Sequence, residues 1–381
     1  MGKLTVFEIV LTNVGGICHA GGEVLGQVVV EVTKDLQVQE LSVECDGRSQ
    51  VFCIDTSKST VIEGHPAIAI PHADEEVYIC TSTILCGRQG KENGCLRKGR
   101  HVFDFTFHIP PHSPNSYEGE FGYVRYMLRA RLKKSWEEEN VTRKIRVIAK
   151  LDLNTISHVN EQIERSEEMT TSSLFSQQGV CHSALRLDRQ GYVPGEIIPL
   201  SHIVHNNTAR DMVVSLELRM LTEYRCQTIT HTLKNRLQTI KYPKVAARST
   251  FEQRENGLRV PACPPSHLHG CGIIHITYQV VLKVKPARLS LKRLRIAVTI
   301  TIGTVPLRRG SLVTALVGNR PSERRWLTMP PPTYEEVMGM AAQKARSPLR
   351  ADSPILTSLP DYEPLRARAN TDSSIVKVQR R

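Results

Sequence analysis

What this 381-residue chain has little of narrows its possibilities first. No apolar run approaches the roughly 18 residues of a membrane-spanning helix. The opening MGKLTVFEIVL lacks the basic-then-apolar layout of a signal peptide. Gly2 is followed by Val6, where a myristoylation motif takes Ser or Thr. Aromatic residues make up only 5%, too few for the stacking rows that hold single-stranded nucleic acid. No groove-reading motif accompanies the basic charge, so nucleic acid is not an expected partner. The glycine pairs Gly16/Gly21 and Gly94/Gly99 have phosphate-loop spacing. They are followed by Gly22-Glu23 and Arg100-His101 instead of Lys and Ser/Thr. HExxH and Gly-x-Ser-x-Gly are absent. Neither an enzyme nor a cofactor is expected. The ten cysteines include no CxxC pair and read as cytosolic thiols, many packed as small hydrophobes on strands. The expected location is cytoplasmic.

What is present is a folding composition: 40% hydrophobic, 23% charged, with a net charge of +12 that favours an anionic partner. Strand alternation dominates. Phe103, Phe105, Phe107 and Ile109 fall on one face of their segment, opposite Asp104, Thr106 and His108. Val124, Tyr126, Leu128, Ala130 and Leu132 alternate with arginines, and the same period recurs over 274–284 and 295–302. One buried face per strand is the pattern of an antiparallel sandwich. The pattern also occurs twice. Gly22-Glu23-Val24-Leu25 opens a strand ending near Val32, and Gly195-Glu196-Ile197-Ile198 opens one ending near Val204. Phe107-His108-Ile109-Pro110-Pro111 precedes a strand containing Tyr126; Leu258-Arg259-Val260-Pro261 precedes one containing Tyr278. Landmarks repeated in one order predict a duplicated domain.

The chain therefore reads as all-β: a domain over 1–155, a polar connector over 156–179, a second domain over 180–308 and a tail over 309–381. A short helix across Glu161–Glu168 is admissible, and a connector fits better. In the tail Pro, Ser and Arg accumulate and alternation stops, so disorder is expected.

Residues 96–133 (LRKGRHVFDFTFHIPPHSPNSYEGEFGYVRYMLRARLK) resemble the late N-domain strands of arrestins. Asp152-Leu153-Asn154-Thr155 resembles the segment leaving that domain. The run from Asp188 to Glu196 (DRQGYVPGE) resembles the start of the arrestin C-domain, and Ile302-Gly303-Thr304-Val305-Pro306 its end. With its tail motif the chain is most similar to the alpha-arrestins. The resemblance implies two tandem immunoglobulin-like β-sandwiches in a non-enzymatic adaptor. Such an adaptor links transmembrane receptor or transporter cargo to WW-domain HECT-type ubiquitin ligases and promotes endocytosis. It works at the cytosolic face of the plasma membrane and endosomes. The rival reading is an arrestin-fold trafficking or cytoskeletal scaffold that recruits no ligase.

Pro331-Pro332-Thr333-Tyr334 is a PPxY motif. Consecutive prolines favour the polyproline II helix, so little conformational entropy remains to be lost when they dock on a WW domain. Leu359-Pro360-Asp361-Tyr362 is a weaker variant with leucine in place of the first proline. Tyr334-Glu335-Glu336-Val337 and Tyr362-Glu363-Pro364-Leu365 also fit tyrosine-based sorting signals, a pattern common by chance. Ser347-Pro348 and Ser353-Pro354 are serines where phosphate would add charge beside Arg346 and Arg350. Lys283, Lys285, Arg288, Lys292, Arg293 and Arg295 form a basic cluster, followed by Arg308 and Arg309. The cluster fits contact with anionic membrane lipid or acidic protein, and fits equally a charged, solvated sheet surface. Cys263, His267, His269 and Cys271 lack the paired knuckle spacing of a zinc site, and no metal is expected.

Overall fold

A computed structural model describes residues 4–55, 70–87, 94–173, 176–227, 229–287, 292–308, 334, 336 and 337. The first half contains β1 (Leu4–Leu11), β2 (Ile17–His19), β3 (Glu23–Val32), β4 (Leu36–Val38), β5 (Glu40–Asp55) and β6 (Ile70–Gly87). It continues with β7 (Gly94–Leu96), β8 (Gly99–His108), β9 (Tyr117–Glu118), β10 (Gly122–Lys133) and β11 (Glu138–Ile148). The second half contains β12 (Ile163–Ser173), β13 (Ser176–Leu187), β14 (Gly191–Tyr192), β15 (Ile197–Asn206) and β16 (Met212–Cys226). Its last strands are β17 (Ile229–Lys241), β18 (Ser249–Arg259), β19 (Ile274–Pro286) and β20 (Leu294–Ile302). The strands expected from alternation at 102–109, 123–132, 274–284 and 295–302 are β8, β10, β19 and β20.

Each half is a sandwich of two sheets. In the first, β1-β3-β8 faces β2-β11-β10-β5-β6, with β9 paired to β10 and a small β4-β7 ribbon beside them. In the second, β12-β13-β15-β18 faces β14-β20-β19-β16-β17. The five-strand orders correspond strand for strand, and β1-β3-β8 corresponds to β13-β15-β18, with β12 added at the edge. Even the unusual parallel pair recurs, as β2 with β11 and β14 with β20. Inward-facing Val24, Val28 and Val30 share a core with Val124, Tyr126 and Leu128, and Ile198, Leu200 and Val204 with Ile276, Tyr278 and Val280.

The duplication reaches individual hydrogen bonds. After β8 and β18 the chain runs into proline, which offers no N–H to a ladder and ends each strand. The loop then folds over the core. Tyr126 donates its hydroxyl to the Pro114 carbonyl (2.8 Å) and Tyr278 to that of Pro264 (2.6 Å). Ser116 Oγ accepts from the β11 amide of Val147, as Ser266 Oγ accepts from the β20 amide of Ile302, both at 2.9 Å.

One expectation needs correction. Most of the expected connector is an antiparallel hairpin, because β12 pairs with β13 from Ile163↔Leu187 onward. The strand is polar because it lies at the sheet edge, where Met169 turns inward and is buried and Ile163 packs partly against the core. No helix forms over 163–168. The tail expected to be disordered lies outside the described residues except for Tyr334, Glu336 and Val337, of which Tyr334 is buried.

Candidate functional site

The two sandwiches meet through complementary ends. Asp152 bridges Val305 in parallel, so the two segments that leave the domains run side by side. Thr304 Oγ1 accepts from the Leu151 amide (2.8 Å). Asn154 donates its side-chain amide to the Pro306 carbonyl (2.9 Å) and accepts from the Arg308 amide (2.8 Å). At a second contact the hydroxyls of Tyr117 and Tyr224 lie 3.1 Å apart. Phe121 sets its edge against Tyr224 and against the His231 ring, with centroids 5.7 and 4.4 Å away. Cys53 and Cys226 are buried there as neighbouring thiols, and burial pushes Cys226 up to about 11. A third contact comes from the loop after β18. The Gly272 amide donates to the Glu76 carboxylate (2.9 Å). Gly270, at φ +95°, lies so close to the first domain that a Cβ there would come within 2.0 Å of the His112 carbonyl.

The same loop carries the seat of Tyr334. This tyrosine is 7% exposed. Burial pushes its phenol well above the usual range, Cys263 adds to the shift and Arg146 opposes it. Tyr334 in turn helps to raise Tyr278, after burial and Cys263. Groups that act electrostatically on or with the ring therefore come from both domains: Arg146 from β11, Cys263 from the loop and Tyr278 from β19. Cys263 is itself buried, its thiol pushed up to about 12.

Two family models match the chain, the arrestin N-terminal domain over residues 7–154 and the arrestin C-terminal domain over 177–307. The chain belongs to the alpha-arrestin family. It is 29% identical to arrestin domain-containing protein 17 of Caenorhabditis elegans over 80% of this chain and 72% of that one. Identity is 25% to human arrestin domain-containing protein 4, over 84% and 78% of the two chains. It is 28% to human arrestin domain-containing protein 1, over 76% and 64%. Proteins of this fold are trafficking adaptors, and that is the class of this chain.

In this alpha-arrestin the other anticipated residues are spread out. Pro331 and Pro332 lie outside the described residues, as do Leu359, Pro360 and Tyr362. Of the basic cluster, Arg288 is also outside them. Lys283 stands opposite Arg295 in the β19–β20 ladder, so Lys283, Lys285, Arg293 and Arg295 share one sheet face. Lys283 is bound to Glu217, which also holds Arg219 at 2.6 Å. Burial opposes ionisation of Glu217, yet these two cations keep its carboxyl below the usual range. Lys292 turns away to the Thr170 carbonyl (3.2 Å), and Arg295 donates to Gln279 (3.2 Å). The cluster is therefore an exposed basic face with one internal carboxylate. In the Cys/His loop His267 faces His275 at 3.0 Å. Among the described residues no three His, Cys, Asp or Glu side chains converge as metal ligands.

The residues that sequence reasoning missed are those of the junction: Tyr117, Phe121, Tyr224, Cys53 and Cys226. Tyr117 and Phe121 sit in the Tyr-Glu-Gly stretch that carries the family resemblance, which was the available signal. Nothing local marks Cys53 or Cys226 as partners across domains.

Proposed function

We propose that this alpha-arrestin connects membrane cargo proteins to WW-domain HECT-type ubiquitin ligases. The observation that carries the reading is the Pro331-Pro332-Thr333-Tyr334 sequence, placed after the two arrestin domains. In a WW complex the prolines stack in an aromatic groove, and a second pocket takes the tyrosine. The arrestin domains engage the cytosolic part of a receptor or transporter, and the motif brings the ligase. Linking two binding modules raises the local concentration of ligase at its target, which is the whole of the mechanism. The exposed face bearing Lys285, Arg293 and Arg295 suits the anionic inner leaflet of the plasma membrane or endosome. Leu359-Pro360-Asp361-Tyr362 supplies a second, weaker ligand, and a random coil of the intervening length spans roughly 30 Å, suited to tandem WW domains.

Calorimetry with a peptide covering residues 326–340 tests the ligand. A single WW domain should bind it, and Tyr334→Ala should weaken binding at least tenfold. Equal binding of both peptides would remove the basis for ligase recruitment and leave an arrestin scaffold.

A further inference from the structure

The residue on which WW recognition turns is the residue the fold buries. A tyrosine ring cannot occupy a WW pocket and an internal seat together. We propose that the junction of the two arrestin domains is a binding site for the tyrosine of the chain's own PPxY motif, competing with WW domains for it. The proposal rests on the reading of that motif as a WW ligand.

Three observations support it. Tyr334 is 7% exposed, although it is followed directly by the charged Glu335 and Glu336. Glu336, two residues on, is exposed and Val337 is half-buried, so of the three described residues here Tyr334 is the one fully buried. The groups coupled electrostatically to the buried ring come from both domains, with Arg146 on β11 and Cys263 and Tyr278 from the other sandwich. The seat is thus complete only while the domains keep their present junction.

Modest affinity is enough for such a site. A segment tethered by a short flexible linker has an effective concentration on the order of millimolar. An intrinsic dissociation constant of about 0.1 mM would then keep roughly nine motifs in ten seated. The apparent affinity of a WW domain for the chain falls by the accessible fraction, here about tenfold. Any partner that rearranges the domain junction, such as cargo bound across both sandwiches, would release the motif. Ligase recruitment would thereby be coupled to cargo engagement.

The test compares one recombinant WW domain binding to the 326–340 peptide, to the full chain and to full-length Cys263→Met, which enlarges a side chain at the seat. The full chain should bind about tenfold more weakly than the peptide. Cys263→Met should return to within about threefold of it at an unchanged Tm. Independently, nitration of Tyr334 by tetranitromethane, followed by mass spectrometry, should be at least tenfold slower in the full chain than in the peptide. Should Cys263→Met fail to fold, the nitration rates decide alone. Equal WW affinity of peptide and full chain, or equal nitration rates, would overturn the seat while leaving the motif a ligand. A peptide that binds no WW domain would instead sink the ligand reading, and nitration would still report whether the ring is held.

Discussion

His202 shows what a single side chain does when the alternation rule places it inside. It is an inward position of β15, 2% exposed, between the rings of Tyr242 and Phe251 at centroid distances of 4.7 and 5.9 Å. Neither ring nitrogen has a hydrogen-bond partner. Burial lowers its pKa from the ordinary 6.5 to about 4, because the imidazolium would lose its hydration there. The folded protein holds the ring neutral, whereas the unfolded chain protonates near pH 6.5. Protonation thus favours unfolding, and the stability associated with His202 is full above about pH 6.5 and lost as pH falls toward 4. The loss approaches about 3 kcal/mol at the acid end. Urea unfolding across this range should show the decline, and His202→Leu should flatten it. An identical pH slope in the variant would show that His202 is not the titrating group.

At the scale of elements, the edge strand β12 is held by its ladder to β13 more than by burial. Residues 161–168 are exposed or half-exposed, and Met169 is buried to 7%. Charged residues along such an edge discourage pairing with other chains. Met169→Ala should cost about 2 kcal/mol and loosen the strand locally. Trypsin should then cut at Arg165 faster than in the wild type, with cleavage elsewhere unchanged; equal rates would mean that Met169 does not anchor the strand. This hairpin also marks where the fold stops being legible in the sequence. β8, β10, β19 and β20 announce themselves because each has one apolar face, and the landmarks at Tyr126 and Tyr278 reveal the duplication because each hydroxyl closes the same loop. β12 has no apolar face to read, since its partner is a backbone. The seat of Tyr334 is equally silent. A Pro-rich, charged segment predicts solvent exposure, and only the junction of two distant strands with a loop supplies the place for one ring.

For the whole molecule, duplication produces two sandwiches that could each close a core alone, so their coupling depends on the junction. Interfaces between domains move readily unless they are large and apolar. Here the apolar part is the group of Tyr117, Phe121 and Tyr224, and Gly119 is packed directly against it. A Cβ on Gly119 would lie 2.2 Å from the Tyr224 hydroxyl and 2.6 Å from Tyr117 Cε1. Both tyrosines are buried, at 9% and 1% exposure, so neither ring can swing into open solvent without opening the contact. Gly119→Ala should therefore act as a wedge, with an overpacking cost of about 1–3 kcal/mol taken at the junction rather than in either core. The full chain should unfold in a single calorimetric transition, and Gly119→Ala should separate it into two, one for each sandwich. Because the seat of Tyr334 draws on both domains, the same variant should also nitrate faster at Tyr334 than the wild type. A single transition at unchanged Tm would show that the tyrosine contact does not couple the domains. Split transitions with Tyr334 still protected would place the hold on that ring within one sandwich, separate from the junction.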